Sequence, residues 1–205
     1  MDDETLLEGW RDGDTRSGRR LVERHLGALG RFFANKVSRE DEAQELVAQT
    51  FERFAAARDR FRGDSSVRTF LFAIAHNVLR EFLRRRQRED GRNDALSSVA
   101  DLGPSPSVAF AQHEEQRLLL HALRALPIEH QVVLELSFFE DMSRSQIAAV
   151  TGIPEGTVAG RLRRAKELVA EQLRRLSTSP QVLESTTSDL AQWARTLREA
   201  LLPGA

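Results

Sequence analysis

The sequence predicts an all-α protein made of two small helical domains joined by a linker. The chain has 205 residues, of which 40% are hydrophobic and 30% charged, a composition typical of a globular protein. Tyrosine is absent, and the residues that dominate the sequence, Leu, Ala, Arg and Glu, favour helices. Apolar residues also recur at helical spacing in two separate blocks, which a stretch rich in Asp, Ser, Gly and Pro divides.

The first block predicts four helices. Two apolar faces within residues 1–37 are interrupted by a Gly-Asp pair, which indicates two helices rather than one. A third helix is predicted after Ser38, which can act as its N-cap with Asp41 at the third position. A fourth is predicted over residues 69–83, and it ends in a run of arginines.

The second block contains the most informative stretch, residues 142–176. Ser143 and Gln146 form a capping box that predicts a helix start, Gly152 can end that helix, and Pro154 suits the first turn of the next one. The second helix carries one apolar stripe: Val158, Leu162, Ala165, Val169 and Leu173. This order is typical of a helix-turn-helix whose second helix enters a DNA major groove, although an ordinary helical hairpin with a basic face would look similar.

Further helices are predicted around these elements. Residues 115–126 and 128–139 show helical periodicity and should pack under the helix-turn-helix, while residues 189–202 predict an amphipathic helix after a Ser/Thr-rich tether. The predicted divisions are an N-terminal domain, a linker, a helix-turn-helix domain and a C-terminal tail: 1–89, 90–112, 113–176 and 177–205.

The composition and net charge also exclude several classes of function. Net charge is only −1, so any DNA contact must come from local basic patches. The chain contains no cysteine, which excludes disulfides and thiolate metal sites, and it shows no recognisable catalytic motif. We therefore expect no enzymatic activity, catalytic residue, metal or cofactor. An acidic N-terminus and the lack of a long apolar run predict a cytoplasmic protein with no membrane segment.

Three regions of the sequence resemble the corresponding regions of a known family. Ser-Arg-Ser-Gln-Ile-Ala, Gly-Ile-Pro-Glu-Gly-Thr-Val and Arg-Leu-Arg-Arg-Ala-Lys resemble the promoter-reading C-terminal domain of bacterial RNA polymerase sigma factors of the extracytoplasmic-function group. Glu-Ala-Gln-Glu-Leu-Val-Ala-Gln-Thr-Phe resembles their segment that docks on the polymerase, and Phe-Arg-Gly-Asp-Ser-Ser with Leu-Arg-Arg-Arg resembles their −10 segment. The resemblance implies a sigma factor that binds core RNA polymerase, through the β′ clamp helices and the β flap, and binds promoter DNA.

The resemblance also assigns residues to three surfaces. Duplex contacts at the −35 element are expected from Thr157, Arg161, Arg163, Arg164 and Lys166. Contacts at the −10 element are expected from Arg68, His76, Asn77, Arg80, Arg84, Arg85, Arg86 and Arg88, with a loop around His76 and Asn77 that captures a flipped-out base. Binding to the core polymerase is expected from Glu42, Glu45, Leu46, Gln49, Thr50 and Glu52.

Regulation and one alternative function stay open at this point. Gln44 and Gln49 stand where the family commonly has carboxylates, so phosphorylation of Thr50 by a Ser/Thr kinase could restore negative charge to this helix. An anti-sigma factor is the other candidate regulator. A stand-alone dimeric helix-turn-helix regulator would explain the second block, but the docking helix and the arginine-rich segment argue against it.

Overall fold

The computed structural model describes residues 1–89 and 114–176, so the predicted linker and C-terminal tail lie outside the described residues. Within these two ranges the chain forms eight α-helices and a short 3-10 turn and contains no strand, which confirms the all-α prediction. The helices are α1 Asp3–Arg11, α2 Thr15–Ala34, α3 Glu40–Ala57, α4 Val67–Glu89, α5 Glu114–Arg124, α6 Ile128–Phe138, α7 Arg144–Thr151 and α8 Glu155–Leu176. None of these eight is both long and apolar enough to cross a membrane.

The first four helices pack around a core rich in Phe and Leu. Asp2 caps α1 by accepting a hydrogen bond from the Thr5 N–H at 2.8 Å. Gly18 lets α2 approach α1 closely, because a Cβ placed there would lie only 2.7 Å from the ring of Trp10. Phe33 and Phe54 fill the space between the helices and are completely or almost completely buried.

The start of α3 differs from the prediction. Its N-cap is Arg39 rather than Ser38, and the residue that reaches back is Glu42 rather than Asp41. One carboxylate oxygen of Glu42 accepts hydrogen bonds from the backbone N–H groups of Ser38 and Arg39, both at 3.2 Å. This carboxylate thus satisfies two backbone donors at the start of the helix, as the reaching-back residue of a capping box does.

The long helix α4 corrects a second prediction. It is continuous from Val67 to Glu89, so His76 and Asn77 lie in a helix and not in a loop. No Gly or Pro interrupts this segment, and a buried apolar face holds it in place through Leu71, Phe72, Ala75, Val78 and Leu79. The arginine run at its end belongs to the same helix, in line with the high helix propensity of Arg.

The helix-turn-helix forms as predicted. The Gln146 N–H donates to Ser143 Oγ at 3.2 Å, and the Ser143 N–H donates to Gln146 Oε1 at 2.8 Å. Gly152 ends α7 with a φ of 72°, in the left-handed region. The stripe of α8 faces inward, since Val158, Ala165, Val169 and Leu173 are buried and Leu162 is half-buried.

The two halves of the chain also pack against each other, which the sequence did not predict. α7 lies on α4, and its residues Ile147 and Val150 belong to the same continuous apolar core as Leu71 and Phe72 of α4. A second apolar cluster, between α5, α6 and α8, lies within the second half. The two groups of helices therefore form one closed arrangement in which the second half covers one face of α4.

We expect Gly152→Ala to destabilise the protein by roughly 1–2 kcal/mol, because a Cβ is unfavourable at a left-handed φ. Gly30→Ala is the matched control: Gly30 lies inside α2 with nothing within 4 Å of the added Cβ, so this change should stabilise by about 0.5–1 kcal/mol. Urea unfolding of both variants measures the effect. Equal stability of the two variants would contradict the assigned turn.

Candidate nucleic-acid and polymerase interfaces

The outer face of α8 presents most of the residues predicted to contact duplex DNA. Thr157, Arg163, Arg164 and Lys166 are exposed on it. Arg164 donates to Glu167 at 3.0 Å, and Lys166 Nζ lies 5.0 Å from the centre of the Phe138 ring. Both interactions are on the surface, where they cost little to exchange for contacts with DNA. The N-terminal part of α8 is therefore free to enter a groove.

Arg161 differs from its neighbours on α8. It is half-buried, turned towards α6, and forms a 2.6 Å ion pair with Glu129. A contact between Arg161 and DNA would need this ion pair to break.

The basic residues predicted for the −10 surface divide into two groups in the structure. Asn77, Arg80, Arg84, Arg85 and Arg88 are exposed along α4 and its last turns. Two arginines are instead half-buried and pair with acids outside α4: Arg86 with Glu42 of α3, and Arg68 with Glu140 at 2.6 Å. The exposed group is the part of this surface that can meet phosphates directly.

His76 faces the second half of the chain. It is half-buried at a cavity of about 210 Å³ between α4 and the second half, whose wall also includes Arg80, Ile128, Glu129 and Arg161. Burial is the main cause that lowers the pKa of His76 to about 4, and the positive charges of Arg80, Lys36 and Arg161 lower it further, while a hydrogen bond with the Val150 backbone opposes them. His76 is therefore neutral at physiological pH.

The predicted polymerase-docking face of α3 is only partly on the surface. Glu45 and Glu52 are exposed and Gln49 is half-buried, so these three side chains share an accessible polar strip. Leu46 and Thr50 point into the core, with 2% and 0% of their surface exposed, and cannot touch a partner. Both repeat on the buried side of the helix at a spacing of four residues.

Burial of Thr50 also removes the basis for phosphorylation there. Its hydroxyl donates to the Leu46 carbonyl at 2.7 Å inside the packed helix. A kinase would have to unpack α3 to reach it, and a phosphate would not fit in this core.

Sequence reasoning missed the charged contacts between the two halves. Lys36, Glu135 and Glu140 are all buried and belong to none of the predicted surfaces. The one local signal was Glu135 itself, a carboxylate inside the otherwise apolar run of α6. Such an interruption indicates a buried partner but does not say where in the chain the partner lies.

Comparison with known proteins gives consistent matches over both halves. Residues 21–89 match the family model of Sigma-70 region 2, and residues 116–169 match that of Sigma-70 region 4. The RNA polymerase sigma-H factor of Pseudomonas aeruginosa is 30% identical over 187 residues, covering 85% of this chain and 95% of that protein. The ECF RNA polymerase sigma-E factor of Haemophilus influenzae is 26% identical over 185 residues, covering 86% of this chain and 97% of that protein.

Two solved structures share the fold. CnrH in complex with the cytosolic domain of CnrY superposes with a TM-score of 0.64 at 25% identity, covering 85% of this chain and 99% of that one. The sigma factor RpoE in complex with the anti-sigma factor NepR from Bartonella quintana gives a TM-score of 0.62 at 26% identity, covering 76% and 96%.

We expect His76 to make the stability of the protein depend on pH. In the unfolded state His76 binds a proton below its ordinary pKa of 6.5, whereas in the folded state it stays neutral down to about pH 4. The contribution of His76 to the free energy of unfolding is therefore complete above pH 6.5 and is lost as the pH falls. Between about pH 7 and about pH 5 the wild-type protein should lose roughly 2 kcal/mol more than His76→Gln. Urea unfolding at both pH values measures this, with His121→Gln, a change at an exposed histidine, as the control. Parallel losses in wild type and His76→Gln would contradict the assignment.

Proposed function

This chain belongs to the extracytoplasmic-function group of RNA polymerase sigma factors, and we propose that it directs promoter-specific initiation through three surfaces. α3 docks on the core polymerase, α8 reads the −35 duplex, and α4 melts and reads the −10 element. The observation that carries the proposal is that the two Sigma-70 matches, residues 21–89 and 116–169, coincide with the helical units that present these faces.

At the −35 element, α8 supplies a helix of the right form for the major groove, which is about 12 Å wide and admits one α-helix. Arg163 and Arg164 are exposed together on its first half and are the best placed to reach base edges. A guanidinium can bond a guanine with two parallel hydrogen bonds, whereas Lys166 supplies a point charge suited to a phosphate.

At the −10 element, the exposed end of α4 offers phosphate contacts to a separated strand. Arg84, Arg85 and Arg88 are exposed on its last two turns, and Arg80 and Asn77 extend this strip towards the middle of the helix. A helical strip of guanidinium groups with an amide beside it can follow a single-stranded backbone, which suits strand capture after melting.

On α3, the accessible part of the docking face consists of Glu45, Gln49 and Glu52, next to exposed Gln44. We assign this strip to the β′ clamp helices of the core polymerase and the second half of the chain to the β flap. The remaining negative charges favour a basic partner surface and increase the rate of association more than the final affinity. This assignment places the protein in the cytoplasm with the polymerase.

The direct test is reconstitution. Purified protein and core polymerase are mixed with genomic fragments, and run-off transcripts are mapped. We expect transcripts from discrete start sites only when both are present, and no sequence-specific shift of duplex DNA by the protein alone. Sequence-specific binding as a dimer without polymerase would instead identify a stand-alone regulator.

Arg163→Ala should weaken use of the −35 element by roughly 1–3 kcal/mol, because it removes a base-edge contact. The measurement is the ratio of transcription from a mapped promoter with its −35 element intact to transcription with that element scrambled. Arg174→Ala, an exposed arginine in the last turn of the same helix, is the control and should leave the ratio unchanged. An unchanged ratio for Arg163→Ala would contradict the proposed docking of α8.

Replacing Arg84 and Arg88 together by Ala should reduce the salt dependence of open-complex formation. Each lost phosphate contact lowers the slope of log K against log salt by about 0.7–0.9. Arg16→Ala with Arg20→Ala removes two exposed arginines from α2 and serves as the control. Affinity for core polymerase should not change in either variant. If it falls with the Arg84 and Arg88 changes, these residues belong to the polymerase interface.

A further inference from the structure

Lys36 of the first half is held by the second half. It is completely buried, and its ammonium group donates to the carboxylate of Glu135 and, at 2.6 Å, to the Phe32 carbonyl. The same ammonium lies 4.2 Å from the centre of the Phe32 ring. Asn35 adds a hydrogen bond from Nδ2 to Glu135 Oε1 at 3.0 Å. One carboxylate of α6 therefore binds two consecutive residues that directly follow α2.

Glu140 makes a second contact of the same kind. Its carboxylate is 4% exposed, bonds Arg68 Nη2 at 2.6 Å and lies 3.4 Å from Arg31 Nη2. Its backbone carbonyl accepts a further hydrogen bond from Arg68 Nη1 at 2.7 Å. Arg68 and Arg31 come from α4 and α2, so this acid ties two helices of the first half to the turn after α6.

Arg124 completes the set from the second half. This buried arginine donates from Nη1 to the carbonyls of Asn35 and Val37, at 2.9 and 3.1 Å. These bonds hold the backbone that leads from α2 into α3.

A buried charge is stable only while its partner is present. Burial lowers the pKa of Lys36 and raises that of Glu140, while the opposite charges across the interface act against both shifts. The charge of each group is therefore stabilised by opposite charges from the other half of the chain, or by water once the halves separate.

The closed arrangement cannot read a promoter. Elements about 25 base pairs apart lie roughly 80 Å apart along B-DNA at about 3.4 Å per base pair. In the structure α7 of the helix-turn-helix packs directly on α4, the helix assigned to the −10 element. The halves must therefore separate, and residues 90–113, which join them, span at most about 80 Å when fully extended.

We propose that Glu135, Glu140 and Arg124 form an interdomain lock with the first half, which keeps the free protein closed and withholds from the promoter strand the face of α4 that carries Arg68 and His76. This inference rests on the proposed function. The docking strip of α3 lies outside the lock, since Glu45 and Glu52 are exposed in the closed form. The closed protein thus presents its polymerase-docking surface and the arginines at the end of α4, but not the part of the −10 surface formed by Arg68 and His76.

The test opens the lock without removing side-chain volume. Glu135→Gln combined with Glu140→Gln leaves Lys36, Arg31 and Arg68 without their counter-charges. Both acids are changed because a buried lysine can lose its proton, whereas arginine keeps its charge. Lys36→Met with Glu135→Gln is the compensated variant: it removes both charges of one pair and keeps an amide oxygen for Asn35. Glu171→Gln, which breaks an exposed pair with Arg175 inside α8, is the control.

Separation of the halves can be measured by fluorescence resonance energy transfer between two dyes, one attached to each half. The chain has no cysteine, so Arg62→Cys and Arg174→Cys, both at exposed positions, give two unique labelling sites in the full-length protein. We expect high transfer for wild type, the Glu171→Gln control and the compensated variant, and low transfer for the doubly neutralised variant. Equal helical circular dichroism in all four checks that each is folded.

Binding of DNA without polymerase then tests the consequence. The probe is a single-stranded oligonucleotide with the non-template −10 sequence of a promoter mapped by the run-off assay. The doubly neutralised variant should bind it at least about tenfold more tightly than wild type, and the compensated variant should bind it like wild type. Unchanged energy transfer overturns the lock, and separation without tighter binding overturns its inhibitory role. Failure of the proposed function itself would appear separately, as a lack of run-off transcripts with wild type.

Discussion

A single buried ammonium group, that of Lys36, determines how the two halves of this protein lie against each other. A charge with none of its surface exposed needs a counter-charge, and the one that reaches it is Glu135, from the opposite half. This pairing places α6 over the end of α2. The turn after α6 then meets α4 through Glu140, and α7 follows onto the apolar face of α4. The outer face of α8 is left on the surface as a result.

Polar and apolar contacts have different roles in this interface. Ile147 and Val150 bury apolar area, which is non-directional and would tolerate several registers. The ion pairs accept only one register, because a displaced carboxylate leaves its partner uncompensated. They also make the interface easier to separate than a wholly apolar one, because hydration of each separated charge offsets part of the lost ion-pair energy. An initiation factor that must extend along a promoter benefits from such a contact.

The sequence predicted the features that depend on residues close together in the chain, and it did not predict those that depend on residues far apart. The turn between α7 and α8 was predicted to the residue, because Ser143, Gln146 and Gly152 act within a few positions of one another. The spacing of Leu46 and Thr50 places both on the buried side of α3, whereas the resemblance assigned them to a docking surface. The loop expected at His76 also came from the resemblance, whereas the residues themselves contain no helix breaker. The pairing of Lys36 with Glu135 spans 99 positions, and no periodicity in the chain encodes it.

The mixed character of the interface has a thermal consequence. Separating α7 from α4 brings Ile147 and Val150 into contact with water, and exposure of apolar surface carries a positive heat-capacity change. The free energy of opening is then curved with temperature, as it is for unfolding of a whole domain. Where apolar exposure outweighs the exposure of the buried charges, the closed population passes through a maximum and declines on both sides of it, in the cold as well as in the heat. Promoter access in the free protein is thereby coupled to temperature by the same residues that join its two halves.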